Sequence, residues 1–511
     1  MARTWKSLAG MSTALVVLAG CSFDSGSPEA TASGGGGSKL IIADLWAPDS
    51  GYALETDDAF TLTRAGCLET LVAVDKDNQA QPALATEWKQ TEPKSWTFTI
   101  RDTKFQNGTA LTAKVVADDL NRLLKATAPP RSFAPGVISA VTAVDDRTVR
   151  IDTPEEDLFL PLRVSVPNTG ILAPEAFSGT TTNPVGTCTG PFKITSIGTG
   201  QSLSLAANDG YWGGDVALGS AEIRYAESGA TRATQLRAGE VSVAANLPVT
   251  TLTTLKGDNN ITLQQVALPR TTGLYLNTRK APFDKVEARR AIQKALGLDA
   301  IVKAVYEGTA TAAAGPFTPD EPWTPAGLQP VQGNAADAKA AMAAAGIDPG
   351  SLGFELIAYS DRPEFADLAQ VIQAQLAEAG ITVKIRTGDY ASVEDDLMGG
   401  NFQATLLSRN HLIDLPEPIS VLRSDETCKG SFNLAGYCNP KVDELVKEAG
   451  STADPAKRHT LYGQIATQLA TDVAFVPLVH ESLTMGVADT VKGLPTDPLE
   501  RTLLTKDTKL S

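Results

Sequence analysis

Cysteine and histidine are the residues of this sequence with the most reactive side chains. The chain has three histidines and five cysteines, which are Cys21, Cys67, Cys188, Cys428 and Cys438. The segment 186–190 reads G-x-C-x-G around Cys188, a cysteine version of the nucleophile elbow. That elbow needs a strand, a sharp turn and a helix, whereas Pro191 and the strand-like Phe192–Thr195 follow here. A cysteine acyl-transfer enzyme at Cys188 is therefore a remote alternative.

Other catalytic and metal-binding motifs are missing from the sequence. It has neither a phosphate-binding Gly-Lys-Thr loop nor an H-E-x-x-H motif, and its three histidines argue against a histidine-rich metal site. We expect a protein that is not an enzyme, with no cofactor and no metal ion of its own.

The first residues have the pattern of a bacterial export signal. Arg3 and Lys6 precede an apolar run from Leu8 to Gly20, which is shorter than the ~20 residues that span a bilayer. The run ends in Leu-Ala-Gly before Cys21, which resembles the lipobox of bacterial lipoproteins. We predict a signal peptide over residues 1–20 and a lipid on Cys21 that anchors the chain to the outer face of the cell membrane. The alternative is a simple secretory peptide with an incidental cysteine.

Composition and length indicate how the rest of the chain is organised and which partners are excluded. Residues 21–38 are rich in Gly and Ser and predict a flexible tether, so the globular body begins near Lys39. A chain of 511 residues exceeds what one core usually supports, which favours two or three lobes. The net charge of −15 argues against a nucleic-acid partner, because phosphate binding needs clustered Lys and Arg.

Helical and strand patterns alternate irregularly along the body, which favours α/β lobes. Residue types predict a strand over Trp96–Ile100 and another over 402–407. Apolar spacing and capping residues predict four helices: from the cap Thr112 to Leu124, over 286–304, over 365–379 before Gly380, and over 455–469 after the cap Asp454.

Eight segments carry a family resemblance. They are CLETLV from Cys67, QPALATEW from Gln81, WTFTIRDTKFQNGTALTAKVV from Trp96, NPVGTCTGPFKI from Asn183, NDGYWGG from Asn208, LRAGEV from Leu236, YLNTRKAPFDKVEARRAI from Tyr275 and LYGQIATQLATDVAFVPL from Leu461. In this order they resemble the family 5 solute-binding proteins, the peptide- and nickel-type extracytoplasmic receptors of ABC importers. The resemblance covers nearly all of residues 39–485. One departure is Lys114-Val115, where the family usually has an acidic pair.

The resemblance implies an α/β bilobal periplasmic-binding-protein clamp. Lobe I would comprise residues 39–274, with an extra subdomain at about 67–184, and lobe II would comprise 275–481. Residues 482–511 would return to lobe I, and the crossovers near 275–277 and 478–480 would form the hinge. Such a monomer would capture a small solute between its lobes and deliver it to an ABC permease in the membrane.

The resemblance also suggests ligand-binding residues. Asp414 begins a D-x-x-E-P segment whose first acid takes the ammonium group in peptide-binding members; the alternative is a solvated loop aspartate that caps a turn. Arg362, in an Arg-Pro dipeptide, would bind the ligand's carboxylate; the alternative is a surface ion pair with Asp361 or Glu364. An Arg suits this role because its planar guanidinium binds a carboxylate with two hydrogen bonds.

Four more residues are candidate linings of the cleft. Arg409 would offer a second anion contact, and His411 is the one histidine placed where a ligand could be, although it could instead bond within its loop. Tyr275 and Trp46 would be aromatic linings, or ordinary packing. The ligand predicted from Asp414 and Arg362 is a short peptide; a nickel or other metal chelate and an opine-like solute are alternatives.

The four cysteines after Cys21 allow three pairings. The loop between Cys428 and Cys438 looks like the disulfide-closed loop of peptide-binding relatives, which implies that these two residues pair. Cys67 and Cys188 would then form the second bridge.

Overall fold

The computed structural model describes residues 39–511. The predicted signal peptide, the lipid site Cys21 and the tether therefore lie outside the described residues. The strands are β1 Leu40–Asp44, β2 Val72–Val74, β3 Ala80–Pro82, β4 Ala85–Glu92, β5 Ser95–Ile100, β6 Ala140–Ala143, β7 Thr148–Asp152, β8 Phe192–Ile197, β9 Leu203–Ala207, β10 Ser220–Tyr225, β11 Val243–Ala244, β12 Ile261–Leu276, β13 Thr311–Ala312, β14 Phe354–Tyr359, β15 Val383–Gly388, β16 Ala404–Asn410, β17 Val476–Ala488, β18 Val491–Lys492 and β19 Lys509–Leu510.

Helices cover much of the remaining described chain. They are α1 Asp58–Arg64, α2 Ala113–Leu124, α3 Leu160–Arg163, α4 Gly229–Arg237, α5 Val249–Leu255, α6 Val286–Ala295, α7 Leu298–Val305, α8 Ala335–Ala345, α9 Glu364–Glu378, α10 Tyr390–Met398, α11 Ile419–Asp425, α12 Pro440–Gly450 and α13 Pro455–Asp472. Short 3₁₀ turns occur at Arg131–Phe133, Pro167–Thr169, Pro174–Phe177, Thr199–Gln201 and Pro349–Leu352.

One large sheet organises the described residues. It contains 11 strands in the order β15-β14-β16-β12-β17-β11-β1-β10-β9-β8, with β13 added on β17. The long strands β12 and β17 pair antiparallel at its centre, with a register irregularity between Ala267 and Thr271. A separate sheet, β4-β5-β7-β6, packs against α2. The central strands β12 and β17 thus connect the strands predicted for lobe I with those predicted for lobe II.

Buried apolar side chains form separate clusters. One contains residues between Leu40 and Val266 together with residues between Met485 and Leu504. A second contains residues between Leu274 and Val479. A third joins Phe159 and Leu162 to residues from 317 to 474, so the ranges predicted for lobe I and lobe II touch there. The lobe boundaries themselves stay a prediction.

Local sequence rules predict most helix ends correctly. Thr112 Oγ1 accepts a hydrogen bond from Val115 N at 3.3 Å at the start of α2. Asp454 accepts one from Ala456 N at 3.0 Å at the start of α13. Helix α9 ends before Gly380, whose φ of +89° suits glycine. Strand β16 ends at Asn410, three residues beyond the predicted 407.

The prediction of one helix over 286–304 is wrong. The structure has two helices, α6 and α7, because Leu296 and Gly297 adopt extended backbone angles. Gly297 N donates to Gln375 Oε1 of α9 at 3.0 Å, and the Gln375 amide donates to Gly297 O at 3.3 Å. A side chain distant in sequence thus satisfies the backbone groups that the break exposes.

Two disulfides are present, as expected. Cys67 bonds to Cys188, and Cys428 bonds to Cys438. Cys188 is fully buried, and strand β8 rather than a helix follows it. A bonded, buried sulfur has no thiolate to offer as a nucleophile, which removes the support for an acyl-transfer enzyme at Cys188.

Candidate ligand-binding site

The D-x-x-E-P segment lies between β16 and α11, and its two acids have different surroundings. The Glu417 side chain is 2% exposed and accepts hydrogen bonds from Arg458 Nε at 2.7 Å and Tyr462 OH at 2.8 Å. Leu415 beside it is fully buried. These contacts anchor the segment, so Glu417 is structural and Asp414 is held on a fixed backbone.

Asp414 is bonded across the molecule. Its Oδ1 accepts a hydrogen bond from Arg131 Nη1 at 3.1 Å, between residues 283 apart in sequence. The Asp414 side chain is 15% exposed, whereas that of Arg131 is 69% exposed. Within residues 39–511, Asp414 accepts no backbone hydrogen bond, so it does not cap a turn. Its carboxylate instead meets a cation from the range predicted for lobe I.

Arg362 follows β14 and is bonded to a carboxylate of this chain. Its Nη2 lies 2.8 Å from both carboxylate oxygens of Glu481, on β17, and 2.6 Å from Ser408 Oγ. Glu364 Oε1 is 3.4 Å from Nε. Burial lowers the pKa of Arg362, but the carboxylates of Glu481 and Glu364 outweigh it, so the pKa rises above its ordinary value. Arg362 therefore pairs with Glu481 and with Glu364, and it does not pair with Asp361.

Arg409 and His411 are also bonded within the chain. Arg409 forms a two-point pair with Asp425, with Nε–Oδ2 at 2.6 Å and Nη2–Oδ1 at 3.0 Å. His411 Nε2 lies 2.6 Å from Glu321 Oε1, while its buried Nδ1 has no hydrogen-bond partner in the described chain. The alternative of a histidine that bonds within its loop is therefore wrong, because Glu321 lies 90 residues away in the sequence.

The two aromatic candidates have different exposure. Tyr275 is 8% exposed and stacks on Phe475 with ring centroids 5.0 Å apart. It borders a cavity of about 20 Å³ that Arg409 and His411 also line. Trp46 is 36% exposed, and the Arg64 guanidinium lies 4.8 Å from its ring centroid. Trp46 therefore offers a ring face or edge to solvent, whereas Tyr275 is part of the core.

Sequence reasoning missed several charged residues of this region. Arg270, on β12, lies 3.9 Å from Glu481 through Nε. Burial raises the pKa of Glu500, and the positive charges of Arg270 and Arg64 oppose that rise. Arg131 lies in a 3₁₀ turn outside every motif. The one available signal was the position of Arg270 and Glu481, which lie on the two strands that connect the predicted lobes.

Residues 39–511 offer neither a metal centre nor a membrane-spanning helix. They contain no cluster of three or more His, Cys, Asp or Glu side chains placed to hold a metal ion. No helix in this part of the chain has the length and apolar character needed to cross a membrane.

Comparison with known proteins identifies the class. Residues 79–433 match the bacterial extracellular solute-binding proteins of family 5. The chain is 29% identical over 436 residues to the probable D,D-dipeptide-binding periplasmic protein DdpA of Escherichia coli, covering 81% of this chain and 82% of that protein. It is 26% identical to the nickel-binding protein NikA of Staphylococcus aureus, covering 97% of each.

A solved structure agrees with these sequence matches. The nickel ABC transporter protein of Bacillus halodurans superposes with a TM-score of 0.82 at 26% identity, covering 92% of this chain and 99% of that one. The chain belongs to the bacterial extracellular solute-binding proteins of family 5. It is the solute-binding receptor of an ABC importer, with the bilobal α/β clamp of that family, whose members are binding proteins rather than enzymes.

Proposed function

We propose that this receptor captures a short peptide between its two lobes, and that Asp414 binds the peptide's ammonium group. The observation that carries the proposal is the cross-molecule pair between Asp414 and Arg131. A carboxylate that is 15% exposed and held on an anchored segment already takes a cation from the opposite side. The ammonium of a peptide offers the same positive charge and N–H donors to that carboxylate.

Burial makes this carboxylate selective for cations. A carboxylate removed from water needs an opposite charge or several hydrogen bonds, and among the described residues it has one hydrogen-bonding partner, Arg131. Lobe closure over a solute lowers the local dielectric and strengthens the ammonium–carboxylate attraction. Relatives named for dipeptide binding, such as the Escherichia coli dipeptide-binding protein at 26% identity, support a peptide as the solute.

Arg362 is proposed as the contact for the peptide's carboxylate. Glu481 engages one nitrogen, Nη2, and Arg362 Nε has no hydrogen-bond partner within residues 39–511. Glu364 Oε1 lies 3.4 Å from this Nε, so a ligand carboxylate would compete with Glu481 and Glu364 for the guanidinium. Arg409, His411, Tyr275 and Trp46 complete the proposed lining, with Arg409 as a positive charge that Asp425 largely neutralises.

A metal chelate is the second candidate. NikA of Staphylococcus aureus, named as nickel-binding, aligns over 97% of this chain. Because residues 39–511 offer no three-ligand cluster, the metal would arrive held by its own chelator. The exposed Trp46 and the charged side chains Arg362 and Arg409 would then contact the chelator.

Calorimetric titration tests the peptide proposal. Wild-type protein should bind a free dipeptide library, whereas the N-acetylated library, which has no ammonium, should bind far more weakly. Binding of a nickel–histidine complex with no peptide binding would overturn the proposal in favour of the chelate.

We further propose that the receptor is a monomeric lipoprotein without catalytic activity, anchored through Cys21 and working with a membrane permease. The Leu-Ala-Gly-Cys sequence supports the anchor. Metabolic labelling with an alkyne fatty acid should mark wild-type protein and leave Cys21→Ala unmarked; equal labelling would contradict the anchor.

A further inference from the structure

We propose that Arg131 occupies the site of the ligand's ammonium group in the ligand-free receptor, as a stand-in for it, and that its displacement from Asp414 sets how tightly this receptor binds its solutes. The inference rests on the proposed function, because it takes Asp414 as the ammonium-binding residue. It adds an affinity-determining residue that no sequence motif marks. The structure shows the guanidinium of Arg131 on the carboxylate that the ligand would use.

The contact connects two parts of the molecule. Arg131 lies in the 3₁₀ turn after α2, in the range predicted for the lobe I subdomain. Asp414 lies between β16 and α11, in the range predicted for lobe II. The Nη1–Oδ1 distance of 3.1 Å therefore spans the two ranges, so the pair must break when the lobes separate. It favours the closed form of the ligand-free receptor, together with the apolar cluster that also joins these ranges, and it blocks the ammonium site at the same time.

Asp414 and Arg131 are buried to different extents, and this difference favours the replacement of Arg131 by a ligand ammonium. The Asp414 side chain is 15% exposed, so it needs a cation whether the ligand is present or not. The Arg131 side chain is 69% exposed, so it returns to water at little cost when an ammonium replaces it. An arginine held through one nitrogen is also a weaker partner than a two-point pair.

The exchange favours one chemical class of solute. A solute with a free ammonium replaces the charge that it removes, whereas a neutral or N-acylated solute leaves Asp414 buried without a cation. Charged and uncharged solutes alike must displace Arg131, so the competition lowers both affinities, and the preference for an ammonium comes from Asp414. Solutes that carry a primary ammonium are accepted, at an affinity lowered by the competition.

The test compares Arg131→Gln with a matched control. Arg150 and Asp152 of strand β7 lie in the same predicted subdomain and pair at the same distance of 3.1 Å, with the Arg side chain 49% exposed. Arg150→Gln therefore removes an exposed arginine charge without touching Asp414. Asp414→Asn tests the proposed function separately.

Native mass spectrometry would measure bound fractions with a free dipeptide library and its N-acetylated form. Exposed ion pairs contribute about 0.2–1 kcal/mol, so Arg131→Gln should tighten binding of the free library about 1.4- to fivefold. The preference for the free over the acetylated library should stay the same, because both must displace Arg131, and Arg150→Gln should change neither the affinity nor the preference. If Asp414→Asn abolishes binding while Arg131→Gln leaves it unchanged or weaker, the stand-in is wrong and the proposed function stands.

A second readout needs no ligand. Small-angle scattering of ligand-free protein should show a larger radius of gyration for Arg131→Gln and for Asp414→Asn, and the double variant should add little to either. Arg150→Gln should match wild type. If neither single variant increases the radius of gyration, the Arg131–Asp414 pair does not favour the closed form and the inference is overturned, even if wild-type protein binds no peptide.

Discussion

The two residues proposed to bind opposite charges of the ligand, Arg362 and Asp414, differ in how firmly the fold engages them. Arg362 meets both oxygens of Glu481 and the hydroxyl of Ser408, with side-chain exposures of 27% for Arg362 and 11% for Glu481. Asp414 is bonded once, to an arginine that is mostly in solvent. The first pair is part of the scaffold around the central strands, whereas the second can be exchanged for a ligand.

The largest expected effect is on stability, at Arg362. Removing one partner of a buried pair costs about 3–5 kcal/mol, and the partial exposure of Arg362 reduces this to about 2–3 kcal/mol for Arg362→Ala. Urea unfolding measures the change. The control is Arg386→Ala, which removes a 36% exposed arginine from Asp396 and should cost clearly less stability than Arg362→Ala. Equal losses for the two variants would remove the distinction between a scaffold pair and a surface pair.

Asp414 should show the reverse pattern, with an effect on binding rather than on stability. Loss of a charged hydrogen bond predicts roughly 10- to 100-fold weaker binding of a free dipeptide library to Asp414→Ala. The melting temperature of the ligand-free protein should not fall, because the partner Arg131 is mostly solvated. Calorimetric titration and thermal unfolding check both parts, and wild-type affinity would reject Asp414 as the ammonium site.

A third region gives a pH dependence. Glu426 lies beside the Arg409–Asp425 pair, and burial, followed by the charge of Asp425, raises the pKa of Glu426 to about 8. Between the ordinary pKa of a glutamate and about 8, the native protein keeps a proton that the unfolded chain has released. Stability should therefore fall as pH rises from 5 to 8. Glu426→Gln should lower this slope, and unfolding curves at both pH values measure it; an unchanged slope would show that Glu426 is ionised in the native protein.

The smallest effect is expected at Arg131. Its replacement by Gln should strengthen binding of an ammonium-bearing solute about 1.4- to fivefold, in contrast to the loss at Asp414. General destabilisation would not explain why substitutions of the two residues of one ion pair change the binding affinity in opposite directions. Losses of similar size at both residues would instead make Arg131 a ligand contact.

Short-range rules predicted the local structure well, because the groups involved are near in sequence. The caps Thr112 and Asp454 bond to backbone N–H groups two or three residues away. The break between α6 and α7 was missed because Gln375, which satisfies Gly297, is 78 residues away. The resemblance implied both disulfides and the clamp, which are confirmed, but it did not reveal what Arg362 would be bonded to.

Which charged side chains of the site are paired depends on contacts between residues that are distant in the sequence, so no local sequence pattern predicts it. Glu481 reaches Arg362 from 119 residues away, on a strand whose sequence reads as ordinary β-structure. Arg131 reaches Asp414 from 283 residues away. A sequence pattern can nominate an aspartate or an arginine for a ligand, but its availability depends on which opposite charge the fold brings beside it.

Native mass spectrometry of wild-type and Asp414→Asn protein, as each is purified, tests the central claim most directly. The account predicts that wild-type protein carries masses of short peptides with a free ammonium, and that Asp414→Asn carries little or none. A metal-complex mass in both proteins, or the same peptides bound equally to both, would contradict a peptide receptor that recognises its ligand through Asp414.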